Sequence, residues 1–337
     1  MPNISSYTFP QMTDLVKRSF QDGLENLPQD MRKSWLVVED VLPLHTGEFK
    51  RFAERLQRNQ YASVRDEGDV SKKAKVQYGY EKDMQVYTVS LEVSITKRMR
   101  KAGKDQDILD QITSLAEVCP NTIDLDLAHR LTFAFASSYV SRDGITVDTT
   151  VGDGNPLIYN AHTLTGSATT YSNQITSNPA FSKAALENAE NLFVTGTFNN
   201  LWEKMAMKPD VIVTTDDPNT VNQVRELLKS TASIADYKNE GVLNVYKEKY
   251  RHVVISRLAT TPNGAVDTSK AKYWFLASTR DSDFYLCMLE APYLKTPSDG
   301  NNGEEFSSEN WNYLTAATYW MAIVTGRWIK GSKGDAS

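Results

Sequence analysis

The sequence contains four histidines, the residues most often used in acid–base catalysis and metal binding: His45, His129, His162 and His252. A zinc protease would place histidines in an H-E-x-x-H pattern, and a serine hydrolase would combine one with a G-x-S-x-G turn. Neither pattern occurs in the chain. We therefore interpret these histidines as surface or core residues.

The other candidate metal ligands are two aspartates and two cysteines. Asp124 and Asp126 are two residues apart, and side chains with that spacing on a helix point in different directions. We interpret both as partners of a helix N-terminus, where the helix dipole favours negative charge. Cys119 and Cys287 are far apart and lack C-x-x-C spacing, so we expect small buried side chains rather than a disulfide or a thiolate site.

Two glycine-containing stretches imitate phosphate-binding loops. The stretch GRWIKGSK at 326–333 has the order Ser-Lys where a phosphate loop requires Lys-Ser or Lys-Thr, so we predict a terminal strand and tail. The Gly-Asp-Gly at 152–154 is predicted to be a turn, because no strand-then-helix pattern surrounds it. Since no catalytic constellation is recognisable, we expect a protein that is not an enzyme and that has no cofactor and no metal.

Composition indicates a folded protein of ordinary polarity. The 337 residues are 40% hydrophobic and 23% charged, with a formal charge of −5. This length predicts about two domains. No apolar run is long enough to span a bilayer, and the first residues lack a basic region followed by an apolar one, so we expect neither a membrane span nor a secretion signal. The acidic balance disfavours a dedicated nucleic-acid binder but allows non-specific contact with DNA.

The N-terminal part of the chain is predicted to contain two segments with little core of their own. The opening residues mix prolines with short amphipathic pieces such as 12–20, which indicates an arm. Residues 48–82 are polar with interleaved aromatic residues, which indicates a loop or a strand pair. Their lysines and tyrosines could stack on nucleic acid or form a solvated loop face: Lys72, Lys73, Lys75, Tyr78 and Tyr80.

A strand and a long helix follow this polar segment. Residues 87–95 alternate between apolar and polar side chains, which predicts a half-buried strand. Apolar residues then repeat with helical spacing over 105–139, and Pro120 interrupts the pattern. We predict one long helical feature with a break at Pro120, after which Asn121 or Thr122 caps the second part.

The remainder of the chain mixes helices and strands. Residues 141–179 are rich in Gly, Thr, Ser and Asn, which predicts turns, short strands and a domain boundary. Helices are predicted over 182–193 and after Asp217-Pro218, with a strand at 211–213 between them. Helices and strands are segregated more than alternated, which predicts an α+β fold. The last hundred residues contain four strand-like stretches: NVYKEKYRHVVIS, KYWFLAS, FYLCMLE and TYWMAIVTGRWIKG.

Five stretches occur in an order that resembles one known family: the polar segment running into QVYTVSLEVSITKRMRK, ILDQITSLAEV to LAHRLTFAFASSYVSRDG, DGNPLIYNAH, AALENAENLF with MKPDVIVTTDDPNTVNQVRELL, and TAATYWMAIVTGRWIKGSKG. In this order they resemble the extended loop, the spine helix, a D-G-x-x-L-x-x-x-x-H stretch, the axial-domain elements and the closing strands of the major capsid proteins of tailed bacteriophages. That family has the Hong Kong 97-type fold, which is also seen in encapsulin shells. The resemblance is greatest to Mu-type head subunits and covers nearly the whole chain.

The resemblance implies an α+β, Hong Kong 97-type subunit in four parts: an N-terminal arm at 1–38, an extended β-hairpin loop at 39–96, a peripheral domain at 97–142 and 266–321 with a spine helix at about 105–139, and an axial domain at 143–265 and 322–337. Strand geometry supports a projecting loop independently. Two strands of roughly 15 residues would reach about 50 Å. A two-stranded ribbon is only marginally stable in water, so such a hairpin is expected to lie on a neighbour.

The resemblance also implies a function. The chain would self-assemble through pentamers and hexamers into an icosahedral shell around double-stranded DNA, in the virion after assembly in the host cytoplasm. Scaffold, portal and decoration proteins would be further partners, and no membrane would be involved. Candidate inter-subunit contacts are the loop residues Lys72, Lys73, Lys75, Tyr78 and Tyr80, and Pro120 is a candidate hinge.

Some members of this family link a loop lysine to an asparagine by an isopeptide bond with the help of a buried glutamate. The lysine would be Lys72, Lys73 or Lys75, and the acceptor would be Asn310 or Asn312. No glutamate occurs from Asn310 onward, so we expect no crosslink. Alternatives to a phage capsid are an encapsulin-type shell, another virion component, or an unrecognised α+β hydrolase. The hydrolase would be a monomer or small oligomer with a deep polar pocket.

Overall fold

The structure is a computed structural model that describes residues 9–25, 30–40, 49–55, 62, 64–71, 78–102, 105–166, 169–199, 202–231, 243–297 and 310–335. The helices in these ranges are α1 (Phe9–Glu25), α2 (Lys97–Lys101), α3 (Asp105–Thr132), α4 (Lys183–Thr195) and α5 (Pro218–Lys229). The strands are β1 (Val37–Asp40), β2 (Phe49–Arg55), β3 (Tyr78–Gln85), β4 (Tyr87–Ile95), β5 (Ser138–Val140), β6 (Thr146–Asp148), β7 (His162–Thr163), β8 (Thr170–Tyr171), β9 (Val211–Thr214), β10 (Arg251–Val254), β11 (Trp274–Ala277), β12 (Phe284–Lys295), β13 (Trp311–Ile323) and β14 (Ile329–Ser332).

Most of these strands belong to two four-stranded sheets. The first sheet has the order β1-β12-β13-β4, with β1 parallel to β12 and the other neighbours antiparallel. The second sheet has the order β10-β9-β11-β14, with β10 parallel to β9 and β11 antiparallel to both of its neighbours. Three strand pairs complete the set: β2–β3, β5–β6 and β7–β8. Mixed sheets with helices packed against them form an α+β fold, which confirms the predicted class.

The strand predicted from the alternation at 87–95 is β4. Because β3 ends at Gln85 and β4 begins at Tyr87, the two strands form almost one run that changes partner along its length. β3 pairs with β2, and β4 pairs with β13. Ile95 is fully buried, whereas Leu91 is 45% exposed although it has the same parity. β4 therefore leaves part of its apolar face open to solvent.

The long helix α3 continues through Pro120, so the predicted break at this residue is wrong. A proline removes one hydrogen-bond donor from a helix. Here Cys119 and Ile123, on either side of it, are buried in the largest core cluster, and this packing holds the turn in place. The helix ends at Thr132, earlier than predicted, and residues 138–140 form β5 instead.

Because α3 is unbroken, the polar residues after Pro120 lie inside the helix and not at a new N-terminus. The predicted caps Asn121 and Thr122 therefore cap no helix, and the Thr122 hydroxyl donates to a carbonyl one turn earlier. The interpretation of Asp124 and Asp126 as partners of a helix N-terminus is wrong for the same reason.

Only part of the stretch NVYKEKYRHVVIS is a strand. Residues 244–250 form turns, and β10 covers Arg251–Val254 alone. The cause is Asn244, whose side-chain amide donates to the carbonyls of Leu227 and Ser230 at the end of α5. These bonds satisfy carbonyls that lack a partner within the helix, and they fold the chain back before the strand begins.

The strand predicted at KYWFLAS is β11, and it lies between β9 and β14 in the second sheet. The expected domain boundary at residue 266 would have placed β11 in the peripheral domain. Its hydrogen bonds place it instead with the strands expected in the axial domain. Residues 255–273 connect β10 to β11, and the hydrogen bonds of β11 assign it to the second sheet.

Helix α1, from the expected arm, packs on α3 of the same chain. Val16 is buried in one cluster with Ile108 and Ile112. The hydroxyls of Ser19 and Thr113 lie 2.6 Å apart at this contact. The apolar side of α1 therefore finds its partner within the subunit.

The described ranges contain no helix that is long and apolar enough to cross a bilayer. Within the same ranges, no three histidine, cysteine or carboxylate side chains are grouped so that they could hold a metal ion. Cys119 and Cys287 do not form a disulfide with each other, and both side chains are buried, as expected.

Candidate inter-subunit surfaces

The structure describes only part of the predicted contact set. Lys72, Lys73 and Lys75 lie outside the described residues. Tyr78 begins β3. Tyr80 is half-buried, and its hydroxyl lies 2.7 Å from the Thr163 hydroxyl of the same chain.

The base of the hairpin β2–β3 is bound to the turns that follow β6. The Lys82 ammonium donates to the Asp148 carboxylate at 2.5 Å and to the Thr150 hydroxyl at 2.7 Å. Burial alone would raise the pKa of Asp148, but the bonds from Lys82 and Thr150 hold it below its usual value. The hairpin therefore has an ionic anchor on its own subunit.

Gly152 allows β3 to approach the body closely. A Cβ atom on this residue would lie 2.6 Å from the Cβ of Tyr80, a distance that real Cβ atoms do not reach. The Gly152 N–H also donates to the Val324 carbonyl at 2.9 Å, which ties the turn to the end of β13. A larger residue at this position would push the hairpin away from the body.

The D-G-x-x-L-x-x-x-x-H stretch folds so that its first and last residues meet. The ring Nδ1 of His162 lies 2.8 Å from the Asp153 carboxylate, and both side chains are almost fully buried. Asp153 also accepts from the backbone N–H groups of Asn155 and Thr163. Burial raises the pKa of Asp153, but the contacts with His162 and Asn155 outweigh it and hold the pKa below its usual value. This stretch is thus a structural turn that positions β7, and the Thr163 hydroxyl of β7 contacts the Tyr80 hydroxyl.

The other two described histidines also make hydrogen bonds within the subunit. His129 is buried, and its Nε2 lies 3.2 Å from the Thr260 hydroxyl. The Nε2 of His252 lies 2.9 Å from the Thr214 hydroxyl. Burial lowers the pKa of each of these histidines to about 4, so both are neutral at physiological pH. His45 lies outside the described residues.

Beyond the hairpin base, residues 64–71 form an exposed turn. Val64 is 97% exposed and Val70 is 87% exposed. The Asp69 N–H donates to the Asp66 carbonyl at 3.2 Å, and Gly68 has φ +91°, a value that strongly favours glycine. This turn, which we call the acidic tip, has the sequence VRDEGDVS and places three carboxylates within four residues.

Large apolar side chains are exposed elsewhere on the described surface as well. Isolated exposed apolar residues are normal in monomers, whereas groups of them on projecting elements indicate contact surfaces. Val140 and Ile145 are 56% and 49% exposed on the hairpin β5–β6. Other examples are Trp35, Val194, Trp202, Leu243, Val245, Val266 and Leu289.

A pocket of about 110 Å³ lies beneath the hairpin β5–β6. Its floor comes from one face of α3 and from the neighbouring strands β4 and β13. Apolar walls are provided by Tyr87, Val89, Leu125, Tyr139, Val147 and Met321. Two arginines line it too, Arg130 on α3 and Arg142 on the β5–β6 turn. We call this feature the arginine pocket.

The buried acid–base groups of the arginine pocket are bound to one another. The Tyr319 hydroxyl donates to the Asp126 carboxylate. Burial raises the pKa of Asp126, although the bond from Tyr319 opposes this rise, and burial together with the charge of Asp126 raises the pKa of Tyr319. None of the residues that line the pocket pairs a serine or cysteine nucleophile with a neighbouring base, which is the arrangement that covalent catalysis needs.

The sequence did not predict that the chain contains a buried lysine. Lys330 on β14 is fully buried, and its ammonium nitrogen has no hydrogen-bond partner among the described residues. It lies 5.1 Å from the ring centre of Phe193 and 5.8 Å from that of Tyr171. Burial, with a contribution from nearby Arg327, lowers the pKa of Lys330 to about 7. Residues 329–332 form a strand, as predicted. Lysine is usually exposed, so nothing in the sequence indicated that Lys330 would be buried.

Comparison with known proteins shows the fold. No protein-family model and no curated protein matches the sequence. Among solved structures, the capsid of the cyanophage P-SCSP1u has a TM-score of 0.50 and 10% identity, with 88% of this chain and 85% of that chain covered. A virus-like particle from Pyrococcus furiosus has a TM-score of 0.49 and 10% identity over 95% and 98% of the two chains. A chain from Microbacterium phage Oxtober96 has a TM-score of 0.49 and 9% identity over 90% of each. The likeness to the cyanophage structure shows that this chain has an α+β capsid fold.

Proposed function

We propose that the chain is the major capsid protein of a tailed phage and self-assembles into the icosahedral shell that encloses double-stranded DNA. The observation that carries this proposal is the shared fold with the cyanophage P-SCSP1u capsid over 88% of the chain. The exposed acidic tip and the two-stranded hairpin β2–β3 support this proposal, because a two-stranded ribbon is only marginally stable in water by itself. The proposed role is structural and not catalytic.

The parts of the subunit are proposed to have separate roles. The first sheet and α3 form the peripheral domain, and the second sheet with α4 and α5 forms the axial domain, with the boundary after β11. Axial domains meet around the five- and six-fold axes. The arm and the extended loop overlap neighbouring subunits, where Lys72, Lys73, Lys75, Tyr78 and Tyr80 supply contacts.

Assembly is proposed to be cooperative because each subunit is held at several edges. A contact that is weak alone becomes effective once a neighbouring contact has raised the local concentration of its partner. Closed shells require heterologous contacts that return on themselves. A shell built from both pentamers and hexamers also places one sequence in unequal positions. Pro120, which cannot donate a helical hydrogen bond, is the proposed hinge of α3. Identical geometry at residues 116–124 in all shell positions would contradict that role.

The proposed location is the virion, after assembly in the host cytoplasm. Scaffold and portal proteins are the proposed partners during assembly, with decoration proteins on the finished shell. Contact with the packaged DNA is non-specific, and the formal charge of −5 suits a container that does not grip its cargo. No isopeptide crosslink is proposed, so denaturing gels of particles should show monomers and no ladder.

The test is particle formation by the purified chain, followed by electron microscopy and sedimentation. We expect closed shells of uniform size. A matched variant replaces residues 56–77 by an Asn-Gly hairpin turn. It should retain the circular dichroism and unfolding curve of the parent but form no particles, because it lacks the overlap between neighbours.

Three outcomes would change the conclusion. A full-length chain that stays monomeric at high concentration would contradict a shell protein. Shells isolated from the natural source that contain an enzyme and no DNA would indicate an encapsulin-type compartment. Hydrolytic turnover by the monomer would support the hydrolase alternative.

A further inference from the structure

The segment that joins β4 to α3 concentrates positive charge. Residues 96–104 have the sequence TKRMRKAGK, with five cations and no carboxylate, in a chain whose formal charge is −5. The rest of the chain is therefore more acidic than the whole. We call residues 96–104, which include α2, the basic segment.

Helix α2 is fixed on the body of the subunit. The Thr96 hydroxyl accepts from the Met99 N–H at 3.3 Å and caps the helix. The Met99 side chain packs against the apolar cluster that contains Ile95 and Ile108. Three cations of the helix, Lys97, Arg98 and Lys101, are exposed. The helix therefore buries its only apolar side chain of any size and presents cations to its surroundings.

These cations do not serve the stability of α2. A helix dipole favours acidic residues in the first turn, but α2 has none there and begins with Lys97 and Arg98. Helix α3 has the favourable arrangement, because its sequence begins DQDILD. The charge of α2 thus opposes its own dipole, which favours a role in binding. Lys97 already interacts with another residue of the chain, so Arg98 and Lys101 are the residues to test.

The exposed side of α2 fits a polyanion better than a folded protein. Stable protein interfaces are depleted in lysine and depend on buried aromatic or aliphatic anchors, and this side of α2 offers none. The backbone of a nucleic acid needs only cations, because its phosphates release counterions when they are neutralised. Helix α2 is about 7 Å long. Duplex DNA carries about four phosphate charges over that length of its axis.

We propose that the basic segment faces the lumen of the shell and binds the phosphate backbone of the packaged double-stranded DNA through Arg98 and Lys101. This inference rests on the proposed function, because it requires a shell that encloses DNA. It adds the surface that meets the DNA and therefore assigns which face of the subunit is internal. Contacts made by a few cations are independent of sequence and weaken with salt, so they allow release.

The first test measures binding of a random-sequence DNA duplex to the unassembled full-length chain by fluorescence anisotropy at several salt concentrations. The variant Arg98→Gln/Lys101→Gln should bind more weakly, and its slope of log K against log salt should be smaller by about two, one for each lost phosphate contact. The matched variant Lys208→Gln/Lys247→Gln removes the same charge from exposed positions before β9 and β10 and should keep the slope of the parent.

Unfolding curves control for a structural role of these cations. The unfolding midpoint of Arg98→Gln/Lys101→Gln in urea should equal that of the parent or lie slightly higher, because Arg98 opposes the dipole of α2. A large loss of stability would show that these side chains hold the subunit together, which would overturn their assignment to DNA.

The second test assigns the internal face in closed shells. The variant Lys101→Cys carries one exposed thiol, and the two native thiols are buried. In the unassembled chain this thiol should react with a small maleimide and with a maleimide on a bulky polymer. In closed shells it should react with the small reagent alone. Reaction with the polymer would place α2 outside, and protection from both reagents would place it between subunits. Either result would overturn the proposal.

The outcomes separate this inference from the proposed function. If shells form but the Arg98→Gln/Lys101→Gln and Lys208→Gln/Lys247→Gln variants bind the duplex alike, the basic segment is not the DNA-binding surface and the shell role stands. If polyglutamate binds the parent more tightly than the duplex and loses affinity in Arg98→Gln/Lys101→Gln, the partner is an acidic protein and the proposal is wrong. If the parent chain forms no shells, the proposed function fails first.

Discussion

The second sheet and the extended hairpin β2–β3 differ in how much of their surface the chain itself buries. All residues of β9, β11 and β14 are buried, and helices α4 and α5 pack on this sheet. The hairpin β2–β3 has only two strands, and beyond it every residue of the acidic tip is exposed. The sheet is complete within one chain, whereas the hairpin exposes backbone and side chains that another chain could cover. The chain therefore combines a sheet whose strands β9, β11 and β14 are buried by the chain's own residues with an extension whose tip is exposed, and under the proposed function this extension gains stability on assembly.

The largest effect is expected at Trp274, the first residue of β11, which lies between β9 and β14 in the second sheet. This side chain is fully buried, packs edge-on against Phe181 at 5.2 Å and donates to the Pro179 carbonyl at 3.0 Å. Trp274→Ala should lower the free energy of unfolding by about 3–5 kcal/mol, the usual cost of deleting a buried aromatic side chain. Urea unfolding of the unassembled subunit measures this. The control Trp35→Ala removes a tryptophan that is 68% exposed and should cost far less. Equal losses would remove the contrast.

Lys330 is a charged-type side chain buried in the second sheet, and its ammonium nitrogen has no hydrogen-bond partner among the described residues. Replacing it by an apolar residue should therefore stabilise the subunit. Its pKa falls from 10.5 to about 7 on folding, so the unfolded chain binds more protons between these values and stability must rise with pH across this window. Lys330→Met keeps the volume and loses no hydrogen bond. At pH 8 it should raise the free energy of unfolding by about 3 kcal/mol, and the rise of stability from pH 7 to 10 should disappear. Urea titrations at several pH values would show it, and an unchanged pH slope would contradict the buried neutral amine.

The same contrast explains what the sequence could predict. The strand at 87–95, the helix starts at Ser182 and Asp217 and the strand at 211–213 are all predicted correctly, because alternation, caps and proline position are local signals. Local rules fail at Pro120, where the burial of Cys119 and Ile123 in the core outweighs one missing hydrogen bond. They also fail at 244–250, because the Asn244 side chain bonds to the distant end of α5.

The candidate contact sites are harder to predict than the elements. The arginine pocket combines Asp126 and Arg130 on α3 with Arg142 and Tyr319, which are distant in sequence. The spacing of residues 126, 129 and 130 places them on one helix face, and this is the only local signal. Lys330 has no signal, since a charged residue in a strand is normally assigned to its exposed face.

The turn that supports the hairpin base should show an intermediate effect. The Asp153 carboxylate accepts from His162, Thr163 and Asn155, and these donors would lose an ionised partner in Asp153→Asn. We expect a loss of about 2 kcal/mol at pH 7. The folded-state pKa lies below 3.8, so this stabilisation is present above that value and is lost as the pH falls through the folded pKa. The difference between the unfolding curves of parent and variant should therefore shrink as the pH falls through the folded pKa of Asp153, and a constant difference would contradict the ionic character of the turn.

The smallest effect is expected where the hairpin meets the body. The hydroxyls of Tyr80 and Thr163 lie 2.7 Å apart at a partly exposed site, so Tyr80→Phe and Thr163→Val should each cost about 1 kcal/mol or less. A double-mutant cycle isolates the pair, because the ring of Tyr80 stays against Gly152 in all four chains. Both groups belong to one subunit, so the coupling should already appear in urea unfolding of the unassembled protein. A coupling that appears only in particles would mean that the base of the hairpin, and not only the acidic tip, needs a neighbouring subunit to become ordered.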